Sequence, residues 1–177
     1  MSKHPIGLDR NLSGASEEQN ALFEKIAQGP RGSVPSPFLA MLDRPLLADA
    51  IQQVGAMIRF SGVLSDADRE LAILATAGTV GCRYEWDYHA PIGVKAGLAD
   101  EAIRATLDGI DPKHAGSRWA TIVRFCRAVV RDRKDSDVSV ADMIALLGKE
   151  QTSEIIAICG YYALLASFIM IGKHEPE

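Results

Sequence analysis

The sequence predicts an all-α fold, and three observations carry that prediction. Apolar residues recur every three or four positions over residues 45–58 and 117–131, the period of one helix face. Ser65-x-x-Asp68 and Ser139-x-x-Asp142 have the spacing with which a hydroxyl and a carboxylate close a helix's first turn. No segment alternates apolar and polar residues with period two, and no hairpin signal appears. A single-domain bundle of about seven or eight helices follows.

The elements read in order. Residues 1–17 are polar and contain Gly and Ser, and predict a mobile arm. Ala21, Leu22, Lys25 and Ile26 give a weak helical period over 18–27. The stretch 29–37 holds three prolines and two glycines and cannot propagate a helix. Residues 1–40 are therefore an N-terminal arm and proline-rich loop, ahead of an all-α domain at 41–177. Residues 38–42 make one apolar turn. Pro45 suits a first-turn position, and Leu46, Leu47, Ala50, Ile51, Val54, Met57 and Ile58 carry the helix to Ser61-Gly62. Ser65 opens the next helix, to about Val80.

A further helix spans about 82–96, stopped by Gly97, with Pro91 predicting a kink or break just after His89. Residues 100–108 form a short helix. Residues 117–131 form an amphipathic one that turns Trp119, Ile122, Val123, Cys126, Val129 and Val130 inward. Ser139 caps another to Leu147. The last helix, about 150–171, is apolar nearly all round.

Of the 177 residues 47% are hydrophobic and 24% charged, with a net charge of -4, a globular balance. A nucleic-acid partner needs a concentrated basic surface; the densest basic stretch, 127–134, is interrupted by Asp132. Three scattered cysteines without a CxxC pair suit a reducing compartment. The N-terminus lacks the apolar core of a secretory signal. The uncharged run 155–172 approaches the length of a membrane span, but it contains Gly160 and Ser167 and has no companion span. Burial in an assembly is the expectation, with a cytoplasmic location and no membrane partner.

Chemistry concentrates at Cys82-x2-Glu85-x3-His89, whose offsets share one helical face. Glu85 and His89 are i,i+4 neighbours able to share a hydrogen bond, and Cys82 lies three residues before Glu85, which makes Glu85 the expected hub. A carboxylate beside an imidazole fixes its tautomer and suits acid–base work. A helix start and Arg83 favour a Cys82 thiolate, whereas burial opposes it. The plainer reading is a surface Glu85–His89 pair with Cys82 in the core. Tyr84, Trp86 and Tyr88 crowd the same helix and favour a partly enclosed pocket. Cys82 and His89 are too far apart along one helix to hold one ion, so no metal is expected. Glu70, next to Arg69, reads by itself as a dipole-compensating acid on a polar face. His4, His114 and His174 read as solvated, and Cys126 and Cys159 as core.

Glu70-x11-Cys82-x2-Glu85-x3-His89, followed by the stretch 96–103, resembles the carboxymuconolactone decarboxylase family, which includes the alkylhydroperoxidase D (AhpD)-like proteins. The resemblance is strongest over residues 64–107. It implies an all-α, AhpD-like fold, assembly as a homotrimer or homohexamer, and a site near a subunit interface. The family's peroxidase branch carries Cys-x2-Cys-x3-His with an upstream glutamate. Cys82, His89 and Glu70 match it, but Glu85 replaces the second cysteine, so no disulfide can close across the motif. The decarboxylase branch is similar in carrying Glu-x3-His at Glu85 and His89.

The resemblance implies first a cofactor-independent carboxy-lyase acting on a small carboxylated compound of the aromatic-catabolism type. Glu85 and His89 would handle the proton, with Cys82 lining the pocket and Glu70 in support. Arg69 or Arg83 would seat the substrate carboxylate, beside Trp86 and Tyr84. The alternatives are a thiol-dependent peroxidase acting through Cys82, and a non-catalytic oligomeric binding protein of the same fold.

Overall fold

The computed structural model describes residues 4–110, 117–132 and 138–173, with the side chain of Asp132 excepted. These form nine α-helices and no strand: α1 Glu17–Ala27, α2 Ser36–Ala40, α3 Pro45–Phe60, α4 Asp66–Val80, α5 Arg83–Lys95, α6 Asp100–Asp108, α7 Ser117–Asp132, α8 Val140–Leu147 and α9 Lys149–Gly172. The all-α prediction holds. The helix beyond the expected count is α2, which the sequence offered only as an apolar turn. Its Pro37 sits in the first turn, where a missing N–H costs nothing, so a proline that reads as a breaker here opens a helix.

Contacts divide the chain at 62/63 and 164/165 into two compact units: 1–62 with 165–177, and 63–164. In the first, α1 packs on α3 through Leu22 and Ile26, with Phe38, Leu39, Leu42, Ala48 and Ile58 also buried. Residues 4–12 are not a mobile arm. The Gly7 amide donates to Asp43 at 2.7 Å and the Leu8 amide to the Leu39 carbonyl at 3.1 Å. Gly7 also lies so close to the backbone of Leu39 and Ala40 that a Cβ has no room. His4, expected to be solvated, meets the Lys173 carbonyl at 3.0 Å and Asp9 at 3.3 Å. His114 and His174 lie outside the described residues.

In the second unit α4 is the central element and packs against α5, α6 and α7. Its run Leu71-Ala-Ile-Leu-Ala75 is buried on every side, as expected of a helix surrounded by neighbours. Gly78 lets α6 approach, since a Cβ there would strike the Thr106 backbone. On α7 the buried face is Ile122, Val123, Phe125, Cys126, Ala128 and Val130, while Trp119 and Val129 are only half-buried. Ser139 and Asp142 close a full capping box. Ser65 accepts from the Asp68 amide, but the Asp68 carboxylate turns instead to Arg118 at 2.6 Å, so that box is only half made. By length and composition α9 could cross a membrane, and half of its apolar window is buried. A core helix gives the same pattern.

Candidate active site

The site is built where α4 turns into α5. Val80 ends α4, and Gly81 takes the left-handed conformation at φ 74° that closes the helix, a backbone state that glycine reaches without a Cβ penalty. One residue later Cys82 is the N-cap of α5, so the motif helix begins at Arg83. The reversal lays α5 back along α4. The helix runs unbroken through Pro91, so of the kink or break expected there the break does not occur. Pro91 withholds the N–H that residue 87 would receive, and both positions are exposed, so water can take over that carbonyl.

His89, not Glu85, is the hub. Its Nδ1 lies 2.6 Å from Glu70 Oε2, a charge-assisted distance, and a carboxylate acceptor there requires the proton on Nδ1. Its Nε2 lies 3.6 Å from Glu85 Oε2, within ion-pair reach but longer than a hydrogen bond. Helical spacing brought Glu85 and His89 onto one face, but the close partner comes from the neighbouring helix. Glu70 is therefore not on a polar face: it is 1% exposed. Nor is the Glu85–His89 pair on the surface, since both residues are buried. Arg69 Nε stands 3.5 Å from Glu70 Oε1, and its guanidinium also meets Asp66 at 2.8 Å. A cation thus accompanies the buried carboxylate, without which burial would be costly.

Aromatic edges enclose the imidazole. Tyr88 and Tyr162 each lie 5.2 Å from it between ring centroids, at 67° and 86°, and Tyr161 packs edge-on against Tyr162. Tyr162 comes from α9, far along the chain, and no local pattern links it to the motif. Its one signal in the sequence is its place in a helix apolar all round, which predicts burial but not a neighbour.

Cys82 is buried. Burial pushes its thiol above the ordinary value and the Glu85 charge acts the same way, against the Glu85 and Tyr84 amides, which draw it down. Those amides face the sulfur without closing a cap hydrogen bond. The contest between helix start and burial therefore goes to burial, and the resting group is a thiol. Arg83 gives Cys82 little help. Its side chain is 63% exposed, its Nε binds Asp87 at 2.7 Å, and its guanidinium lies over the Trp86 ring at 5.0 Å. Trp86 in turn donates its indole N–H to Thr106 Oγ1 at 2.8 Å. Tyr84 is half-buried. Among the described residues no group of three or more His, Cys, Asp or Glu is placed to hold a metal ion.

Glu70 on α4 and Glu85 and His89 on α5 thus converge, with Cys82 at the start of α5 near Glu85, while Arg83 and Trp86 pair with each other and Trp86 bonds Thr106 on α6. No curated protein matches the chain. The chain is similar in fold to a crystal structure described as an alkylhydroperoxidase AhpD core, an uncharacterized peroxidase-related protein from Ralstonia eutropha JMP134. The two share 20% identity and a TM-score of 0.72, over 98% of this chain and 94% of that one. Residues 45–128 match the model of the carboxymuconolactone decarboxylase family. That span takes in all of α3–α6 and most of α7, and with them the Glu70–His89 cluster. Through this segment the chain is similar to the carboxymuconolactone decarboxylase family, and its fold is AhpD-like.

Proposed function

We propose that the protein is a carboxymuconolactone decarboxylase-like enzyme. It performs acid–base chemistry on a small carboxylated substrate of the kind formed in aromatic breakdown, and it uses no cofactor. One observation carries this reading: a buried imidazole with Glu70 on one ring nitrogen and Glu85 near the other. As the substrate carboxylate leaves as carbon dioxide, the electron pair of the broken C–C bond passes into the adjoining unsaturated carbonyl system. The Nε2–H of His89 protonates the resulting enolate carbon, and a proton from water, relayed by the Glu85 carboxylate, restores the ring. The net change is carboxylate plus one proton to carbon dioxide plus a new C–H bond. Glu70 holds the ring in place through Nδ1. Arg69, which already stands beside Glu70, seats the carboxylate, and Tyr84 and Cys82 line the approach.

The test is carbon dioxide release from a panel of carboxylated lactones. His89→Ala is expected to lower turnover by about 10²–10⁴-fold, the usual worth of a positioned acid–base group. Unchanged turnover in that variant would sink the assignment.

A second reading has its own support, because Cys82 shares the cluster with backbone amides aimed at its sulfur. In it Cys82 attacks a peroxide, becomes a sulfenic acid, and is reduced by an external thiol. Its raised thiol weighs against this. Cys82 oxidation no faster than that of a free thiol would exclude it.

Self-association as a homotrimer or homohexamer belongs to the same proposal. Leu46, Leu47, Val54, Met57 and Phe60 form an exposed apolar stripe on α3, the kind of surface that a partner chain commonly covers. We place the protein in the cytoplasm, where its three free thiols would stay reduced.

A further inference from the structure

His89 meets a substrate through Nε2, since Nδ1 is given to Glu70. Yet its side chain is only 2% exposed, and Glu70, Glu85 and Tyr162 around it are as closed. Tyr88 differs from them. It lies against the imidazole at 5.2 Å and 67° between rings, and it is 42% exposed. Tyr84, one helical turn before Tyr88 on the same face, is half-buried and continues the approach. Spacing hides the role of Tyr88, because residues adjacent in sequence do not face each other on a helix.

We propose that Tyr88 is the specificity-determining gate of this site: its ring swings outward and admits a flat, unsaturated ring beside the His89 imidazole. The inference rests on the acid–base reading of His89. Proton transfer to a substrate needs near contact with Nε2, and a buried imidazole offers none until a neighbour moves. Moving Glu70 or Glu85 would disturb buried carboxylates, which is costly. Tyr162 is itself packed against Tyr161, edge-on at 5.4 Å.

Tyr88 moves at least cost. Its ring exchanges an edge-to-face contact, a modest interaction, for water, and exposed side chains change rotamer in picoseconds to nanoseconds. The space it vacates has the outline of a phenol ring, with the imidazole along one side. An unsaturated ring entering there regains the aromatic contact that Tyr88 releases, whereas a puckered saturated ring does not. The gate therefore selects as well as admits.

The experiment labels the folded full-length chain with diethylpyrocarbonate, which acylates a neutral imidazole nitrogen, and reads each site by peptide mass. Trypsin cuts after Lys3, Arg10, Arg83 and Lys95. The peptide 84–95 then carries His89 alone, and the peptide 4–10 carries His4 as internal reference. Relative to His4, labelling of His89 is expected to rise about 3–10-fold in Tyr88→Ala, the factor by which an aromatic contact holds the gate shut. It should stay unchanged in Tyr88→Phe, which keeps the ring, and fall in Tyr88→Trp. No rise in Tyr88→Ala, or an equal rise in Tyr88→Phe, would overturn the proposal. Should Tyr88→Ala unfold, both labels rise together; Tyr88→Trp then decides, and labelling as fast as in the wild type would overturn the gate. Benzoate is expected to protect His89 at lower concentration than cyclohexanecarboxylate, its puckered counterpart, and equal protection would overturn the selection of flat rings. Labelling reports access without turnover. Lactones that fail to react would sink the decarboxylase assignment and leave the gate standing, whereas labelling indifferent to Tyr88 would sink the gate alone.

Discussion

At the scale of single residues, the Glu70–His89 hydrogen bond does two jobs, and substitutions can separate them. Glu70→Gln keeps a hydrogen-bonding group but removes the charge that favours an imidazolium. We expect turnover to fall by about 10–100-fold, as for loss of a group that orients a reacting histidine, with only a small change in stability. Glu70→Ala removes the acceptor altogether and leaves a buried Nδ1–H beside Arg69. Urea unfolding should then show a loss of about 3 kcal/mol. Equal losses of stability in the two variants would mean that the pair is structural only.

The Cys82 thiol supplies a second residue-scale prediction. Because burial raises its pKa above the ordinary 9.0, its thiolate is scarcer than that of a free cysteine at any given pH. Alkylation by iodoacetamide at pH 7 should run about 10-fold or more below a free thiol, and climb only as pH passes the ordinary value. The linkage has the same sign. The fold favours the protonated group, so its contribution is full below the unfolded-state pKa and is lost as pH rises through the folded one. A thiol that reacts as fast as free cysteine would contradict this.

Elements were the most legible part of the sequence. Ser139-x-x-Asp142, the stop at Gly97 and the period of α7 all describe local chemistry, and the structure follows each of them. Misreadings came where tertiary contacts overrode a local rule. Asp68 left its capping role for Arg118, Pro91 sat in an unbroken helix, and residues 4–12 found partners at Leu39 and Asp43. The candidate site divides in the same way. Its α5 residues could be read from spacing alone, but the close carboxylate came from α4 and the aromatic wall from α9, and spacing on one helix says nothing about its neighbours.

Close approach of α6 to α4 gives the element-scale prediction. Gly78→Ala would drive a Cβ into the Thr106 backbone, and backbone cannot swing aside as a side chain can. The expected cost is about 2 kcal/mol or more, against a small gain for the same change at an exposed helical glycine with open space, such as Gly160. Equal Tm values for the two variants would show that α4 and α6 are not held this close.

For the molecule as a whole, the exposed stripe on α3 is the feature that most needs explaining. Leu46 is 84% and Met57 62% exposed, and burial of such side chains is worth about 1.5–3 kcal/mol each. A double variant, Leu46→Glu with Met57→Glu, should shift the species seen by light scattering toward the monomer while helicity stays constant. An unchanged assembly would move the interface elsewhere. The fold class needed only periodicity and caps, whereas assembly depends on which apolar residues stay uncovered, and composition cannot report that.

The central place of α4 also bears on the order in which the chain folds. Its contacts with α5 and α6 join helices that follow it directly in sequence, separated by turns of a few residues at Gly81 and at 96–99. Short loops close quickly and at little entropic cost, so α4, α5 and α6 make up the natural nucleus. The Glu70–His89 bond spans only that segment. Leu74→Ala, in the middle of α4, should slow refolding in proportion to the stability it removes, while Ile158→Ala on α9 should mainly speed unfolding. The chemistry of this protein would then be assembled early, with the last helix arriving to cover a centre that has already formed.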